Sequence, residues 1–147
     1  MRRVLRATIL LALLAYAGAA AWLAANERSL VFHPARRAVQ APSAALALDV
    51  RPVAFRAADS TRIAAWVIPA AGHDSTAPWM IICHGNYGNI GYGGRTPFYA
   101  GMRDLGVNLL AFDYRGFGAS EGEPSEAGVY ADARAAYEWL RTVRHVP

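Results

Sequence analysis

The 147-residue chain contains one cysteine and no lysine. A single cysteine excludes an internal disulfide and any thiolate cage for a metal. The four histidines, at 33, 73, 84 and 145, are scattered, with no pair four residues apart, so no metal site is expected. Glycines at 85, 88, 91, 93 and 94 do not form G-x-G-x-x-G, and no P-loop pattern occurs. The backbone cradle that nucleotide phosphates need is therefore missing, and no cofactor is expected. A basic face is missing too. The net charge of +4 arises within residues 1–36, where Arg2, Arg3, Arg6, Arg28 and Arg36 oppose only Glu27; from Arg37 onward ten arginines meet ten acidic residues. The charge therefore gives no support to a nucleic-acid partner.

What the chain does have begins at its N-terminus. Arg2, Arg3 and Arg6 precede an uncharged stretch, residues 7–25. As a helix it would be about 28 Å long, close to the ~30 Å hydrocarbon thickness of a bilayer. Residues 1–25 are expected to be a signal anchor held in membrane lipid through residues 7–25, or else a signal peptide, since 17–19 and 19–21 are small-residue cleavage sites. The apolar character continues past both sites through Trp22 and Leu23, and Trp22 suits an interfacial anchor. The expected topology is single-pass with a cytoplasmic N-terminus and the domain outside; a secreted form is the alternative. Residues 26–48 read as a juxtamembrane linker, rich in alanine with Pro42 and Ser43. Within them the apolar run Ser29 to Pro34 could equally lie against the domain. The domain is expected over residues 49–147.

Val53 and Phe55, then Ile63, Ala65 and Val67, alternate with their neighbours across the polar centre Ala58-Asp59-Ser60-Thr61, which predicts a half-buried antiparallel hairpin. Trp79 to Cys83 and Val107 to Phe112 are nearly continuous apolar runs, the pattern of parallel strands covered on both faces. Thr96 to Leu105, stopped by Gly106, predicts the helix between them and completes a β-α-β unit. A last helix follows Pro124, capped by Ser125, with an apolar stripe of Val129, Ala133, Ala136, Leu140 and Val143. Glu126, Asp132, Arg134, Glu138, Arg141 and Arg144 fill its other faces, and Pro147 marks its end. Cys83, closing an apolar strand, is expected to be a packed core residue. As a nucleophile it is poorly served by His84, because adjacent strand residues point to opposite faces.

In Cys83-His84-Gly85-Asn86 a strand ends in a glycine turn, so backbone N–H groups there can point at a ligand above the carboxyl edge of the sheet. The second motif is longer: Asp113-Tyr114-Arg115-Gly116-Phe117-Gly118-Ala119-Ser120-Glu121-Gly122-Glu123-Pro124-Ser125. It resembles the loop after the fourth strand in membrane-associated α/β-hydrolases of the lysophospholipase and serine-peptidase-like branch. The resemblance runs on through Tyr130-Ala131-Asp132-Ala133 and Trp139-Leu140. It implies an α/β fold of which this chain holds the N-terminal half: an antiparallel hairpin leading into parallel strands with flanking helices, preceded by one hydrophobic helix. It also implies that the backbone of Asn86, or of Tyr87, forms an oxyanion hole, with His84 and Gly85 structural. Gly116 and Gly118 let the chain turn sharply off the strand, while Asp113 and Arg115 satisfy loop backbone or one another.

Gly118-Ala119-Ser120-Glu121-Gly122 matches the nucleophile-elbow pattern G-x-S-x-G. An elbow needs a strand running into the first glycine and a helix starting at the serine. Tyr114 to Phe117 and Glu121 to Pro124 interrupt both, so Ser120 reads as a decoy, and none of the four histidines has a motif that makes it a base. The resemblance implies hydrolysis of a small ester, lipid or peptide through a serine beyond residue 147, with this chain inactive alone. The alternative is a noncatalytic membrane-tethered binding module of hydrolase-like fold, its sheet edge covered by a partner such as a complementing C-terminal half.

Overall fold

A computed structural model describes residues 1–37, 48–73 and 76–143, so Arg144, His145, Pro147 and positions 38–47 of the expected linker, Pro42 and Ser43 among them, lie outside the described residues. Two compact units emerge, Met1–Val31 and Phe32–Pro147. The first is one helix, α1 (Arg2–Val31), 30 residues long and without a buried residue. By length and composition it can cross a membrane. Its polar side chains turn back on its own backbone: Thr8 Oγ1 donates to the Val4 carbonyl, Asn26 Nδ2 to Trp22 and Ser29 Oγ to Asn26. The helix continues six residues past the apolar stretch, and the second unit opens at Phe32, well before the expected domain start at residue 49.

The second unit contains β1 (His33–Pro34), β2 (Arg51–Arg56), β3 (Arg62–Ile68), β4 (Trp79–Cys83), β5 (Tyr87–Gly88), α2 (Arg95–Asp104), β6 (Asn108–Phe112) and α3 (Glu126–Val143). The main sheet has the order β2-β3-β6-β4, and β1 pairs with β5 in a small parallel sheet. The hairpin β2-β3 is antiparallel, with Phe55 opposite Ile63. β6 is antiparallel to β3 but parallel to β4, with α2 as the crossover. Alternation along the strands feeds two cores. Ile63, Ala65, Val67, Leu110 and Phe112 pack on Ala136 and Leu140 of α3. Trp66, Ile68, Leu109 and Ala111 pack with Tyr99 of α2 on the other face.

Position in the sheet explains where the expected burial fails. All five residues of β6 are buried because it has neighbours on both sides and a helix over each face. β3, second in the order, is also buried on both faces from Ala65 to Ile68, more than a half-buried hairpin strand would be. β4 is the outer strand of the described sheet and is only partly covered. Cys83 at its end is exposed, not packed in the core. The stripe of α3 also differs from expectation: Gly128, Asp132, Ala136 and Leu140 are buried, whereas Val143 is exposed. Asp132 faces inward because Arg115 meets it there. Ser125 caps α3 as expected, its Oγ accepting from Gly128 N–H at 3.1 Å. α2 ends in a Schellman arrangement, Gly106 N–H to the Arg103 carbonyl and Val107 N–H to Met102.

Tyr99 is fully buried, and its hydroxyl donates to the Ile90 carbonyl at 2.8 Å. Burial pushes this phenol up to about 12, above the ordinary tyrosine value of about 10. A raised folded-state value stabilises the fold below the unfolded value and withdraws that stability as pH climbs through the folded one. The urea midpoint should therefore fall between pH 10 and 12 in the native chain. Tyr99→Phe should cost about 1 kcal/mol at pH 8 and flatten this alkaline decline.

Candidate functional site

The two loops that leave the carboxyl ends of β4 and β6 meet at Asp113. Its carboxylate is almost fully buried, and Oδ1 accepts the Ile90 N–H at 2.7 Å, which fixes the far side of the His84–Gly94 loop. The same oxygen lies 3.3 Å from His84 Nε2, off the line of a hydrogen bond. His84 Nδ1 is 2.7 Å from the Gly85 carbonyl. The ring is packed edge-on to Tyr114 and Phe117 at 5.1 and 5.3 Å. His84 is thus a buried structural residue with both nitrogens facing fixed groups.

Asp113 also governs its own loop. Its backbone N–H donates to the Ala64 carbonyl at 2.9 Å, and its carbonyl accepts the Ser120 hydroxyl at 2.6 Å. Gly118 lies with φ +51 directly against Asp113 Oδ2, where any Cβ would overlap that oxygen. Ser120 Oγ accepts the Ala64 N–H at 2.9 Å, so this hydroxyl is engaged with backbone on both sides. The loop is closed onto β3 by Glu121, whose N–H donates to the Arg62 carbonyl and whose Oε2 accepts the Arg62 N–H.

Asp113 and Arg115 do not satisfy one another. Arg115 forks onto Asp132 across 17 residues of sequence, Nη2 to Oδ1 at 2.8 Å, and its backbone N–H donates to Asp132 Oδ2 at 2.8 Å. A third contact, Nη1 to Asp59 Oδ2 at 2.8 Å, ties in the β2-β3 turn. Asp59 falls to about 2, first through its hydrogen bond with Thr61 and then through Arg115. Gly128 must be small because a Cβ there would strike the Arg115 side chain. The sequence motif Tyr130-Ala131-Asp132-Ala133 was the one signal that pointed to Asp132.

The Gly85-Asn86-Tyr87 turn is exposed. It is held from the N-terminal side by an element that sequence alone left open between strap and linker. His33 N–H donates to the Asn86 carbonyl at 2.8 Å, and Ala35 N–H donates to the Gly88 carbonyl at 2.9 Å. Phe32 packs edge-on to Phe117 at 6.5 Å, and Gly118 N–H donates to the Ala35 carbonyl. A small cavity of about 160 Å³ opens beside the turn, between Phe32, Gly85, Asn86, Tyr114 and Phe117. It has room for a few heavy atoms, less than the ~300 Å³ lower bound for an ordinary ligand pocket. A larger cavity, about 760 Å³, lies elsewhere, between β2 and α3, and touches none of these residues. Among the described residues no cluster could hold a metal ion.

These contacts set clear expectations for stability. Asp113→Ala leaves the buried Ile90 N–H without its acceptor and should cost about 3 kcal/mol. Ser120→Ala strands the Ala64 N–H and should cost about 1 to 3 kcal/mol. Exposed Tyr137→Ala should stay within about 0.5 kcal/mol. Urea unfolding followed by tryptophan fluorescence checks all three.

No family model matches the chain. A protein of Mycobacterium tuberculosis, itself described as uncharacterised, is 35% identical over 138 residues, which is 94% of this chain and 47% of that protein. The lysophosphatidylserine lipase ABHD12 of Danio rerio is 42% identical over 67 residues, 46% of this chain and 18% of that protein. The chain thus spans about half the length, or less, of the curated relatives it matches. Among solved structures, an esterase of Pyrococcus furiosus matches with a TM-score of 0.62 and 24% identity, over 74% of this chain and 42% of that one. The sheet order, the crossover helix and these likenesses agree on the fold, which is that of the α/β hydrolases among the solved structures.

Proposed function

We propose that this chain is the N-terminal part of a membrane-anchored α/β hydrolase acting on a carboxylic ester, a lipid or a peptide. The observation that carries the reading is the glycine turn His84–Tyr87 at the carboxyl end of β4, in a loop that Asp113 fastens at Ile90, beside a small cavity, in a chain whose Ser120 hydroxyl is engaged with backbone. The backbone of Asn86, or of Tyr87, supplies the oxyanion donor. The nucleophilic serine, its acid and its histidine lie beyond residue 147, so residues 1–147 alone do not turn over substrate. The relatives support this class of chemistry, since one is called a lipase and one an esterase. α1 serves as the single-pass anchor, with the second unit outside the cytoplasm.

A second reading is favoured by the partly covered outer strand β4, with Met80 and Cys83 exposed. On that reading the 147-residue chain is itself the working form, a membrane-tethered binding module whose sheet edge a complementing chain covers. The intact mass of the native protein extracted from membranes separates the two. A mass near twice 15.8 kDa is expected of the hydrolase, while a mass at or just below 15.8 kDa would put the binding module first. A serine-reactive phosphonate is expected to leave the 1–147 chain unlabelled. Strong labelling that disappears in Ser120→Ala would overturn the assignment of Ser120 as a loop-holding residue.

A further inference from the structure

The cavity between β2 and α3, about 760 Å³, falls within the roughly 300 to 1,000 Å³ of ordinary ligand pockets. The candidate site makes no use of it. On one side its wall follows a single face of α3 from Tyr130 to Thr142, and Ala131, Ala135 and Trp139 are the apolar residues of that face. On the other side stands Phe55 of β2, whose ring centre is 6.1 Å from that of Trp139. Two alanines beside two large rings leave a trough along the helix, floored by aromatic and methyl surface.

The charged and hydroxyl side chains of the wall are engaged, with one exception. The Tyr130 hydroxyl donates to Glu126 Oε1 at 3.3 Å, Thr142 Oγ1 to the Glu138 carbonyl at 2.8 Å and Arg56 Nη1 to the Ser60 carbonyl at 2.7 Å. Glu138, the carboxylate of the wall, is paired with Arg141 at 3.5 Å. Arg134 is exposed, and among the described residues it has neither a hydrogen bond nor an ion pair. Side chains on a helix lean towards its N-terminus, so the Arg134 guanidinium reaches towards the Tyr130 end of the trough. Arg56 adds a second guanidinium on the strand side. The trough is thus apolar along its length and cationic at its border, and one unpaired guanidinium matches a single negative charge.

We infer that this trough binds a single-chain fatty-acid anion, its carboxylate held by Arg134 with Arg56 beside it, and its alkyl chain lying against Ala135, Trp139 and Phe55. A guanidinium meets a carboxylate through two parallel N–H donors, which fixes the head of the ligand. From Arg134 to Thr142 the helix face runs about 12 Å. Carbon–carbon bonds of about 1.5 Å advance an extended chain by ~1.3 Å each, so about nine methylenes are covered. The inference stands apart from the hydrolase reading, because the trough and the glycine turn share no residue.

The test uses the full chain in phosphatidylcholine nanodiscs, in a Trp22→Phe background, titrated with 11-bromoundecanoic acid, whose terminal bromine quenches tryptophan on contact. Quenching should saturate, and it should disappear in Trp139→Phe. Arg134→Gln should weaken binding about tenfold, as expected for one charge-assisted pair, and leave the urea midpoint unchanged. The neutral 11-bromoundecanol should bind about tenfold more weakly than the acid, for the same reason. Equal affinity for acid and alcohol, or an unchanged affinity in Arg134→Gln, would overturn the carboxylate site. Quenching that persists in Trp139→Phe, or no quenching in a chain whose urea transition is intact, would overturn the trough as the place of binding.

Discussion

The carboxylate of Asp113 sits where both loops of the candidate site must pass. One oxygen takes the Ile90 N–H from the loop after β4, and the other lies under Gly118 of the loop after β6. The residue's own main chain bonds to Ala64 in β3 and to the Ser120 hydroxyl. A buried carboxylate is tolerated only when its lone pairs are met, so the surrounding loops have little freedom to take another shape. The exposed Gly85-Asn86-Tyr87 turn lies between His84, packed on Tyr114 and Phe117, and Ile90, whose N–H this carboxylate accepts.

A second anchor lies further out. Arg115 brings together the loop after β6, the buried Asp132 of α3 and the β2-β3 turn at Asp59. The planar guanidinium can meet one carboxylate side-on and another end-on, which a lysine ammonium would do with less directional control. The outcome ties the carboxyl end of β6 to the amino end of β3, beside an outer strand β4 that is only partly covered. The strap Phe32–Ala35 closes the opposite side of the turn and shortens the connection to α1 to a single residue.

The α/β pattern, the hairpin, the crossover helix and the glycine turn were all legible in the chain, because each is a local signal of periodicity or of a stop residue. The G-x-S-x-G letters around Ser120 were set aside for a local reason too, since no strand enters the first glycine and no helix leaves the serine. Cys83 was misjudged. An apolar run reads the same in a central strand and in an outer one, and only strand order distinguishes them. Asp132 was placed outward because helical spacing alone puts it beside other charged residues, and its partner Arg115 is 17 positions away.

The sequence by itself determined the elements, their order and the glycine turn after β4, for these depend on contacts within a few residues along the chain. The tertiary structure decided what those residues do: that Asp113 joins two loops, that Ser120 holds backbone, that Arg115 faces Asp132 and not Asp113, and that Phe32–Ala35 is part of the fold. Each of these depends on pairing between segments far apart in sequence. Such pairing is set by sheet order and by the need to satisfy buried polar groups, and neither leaves a periodic trace in the chain.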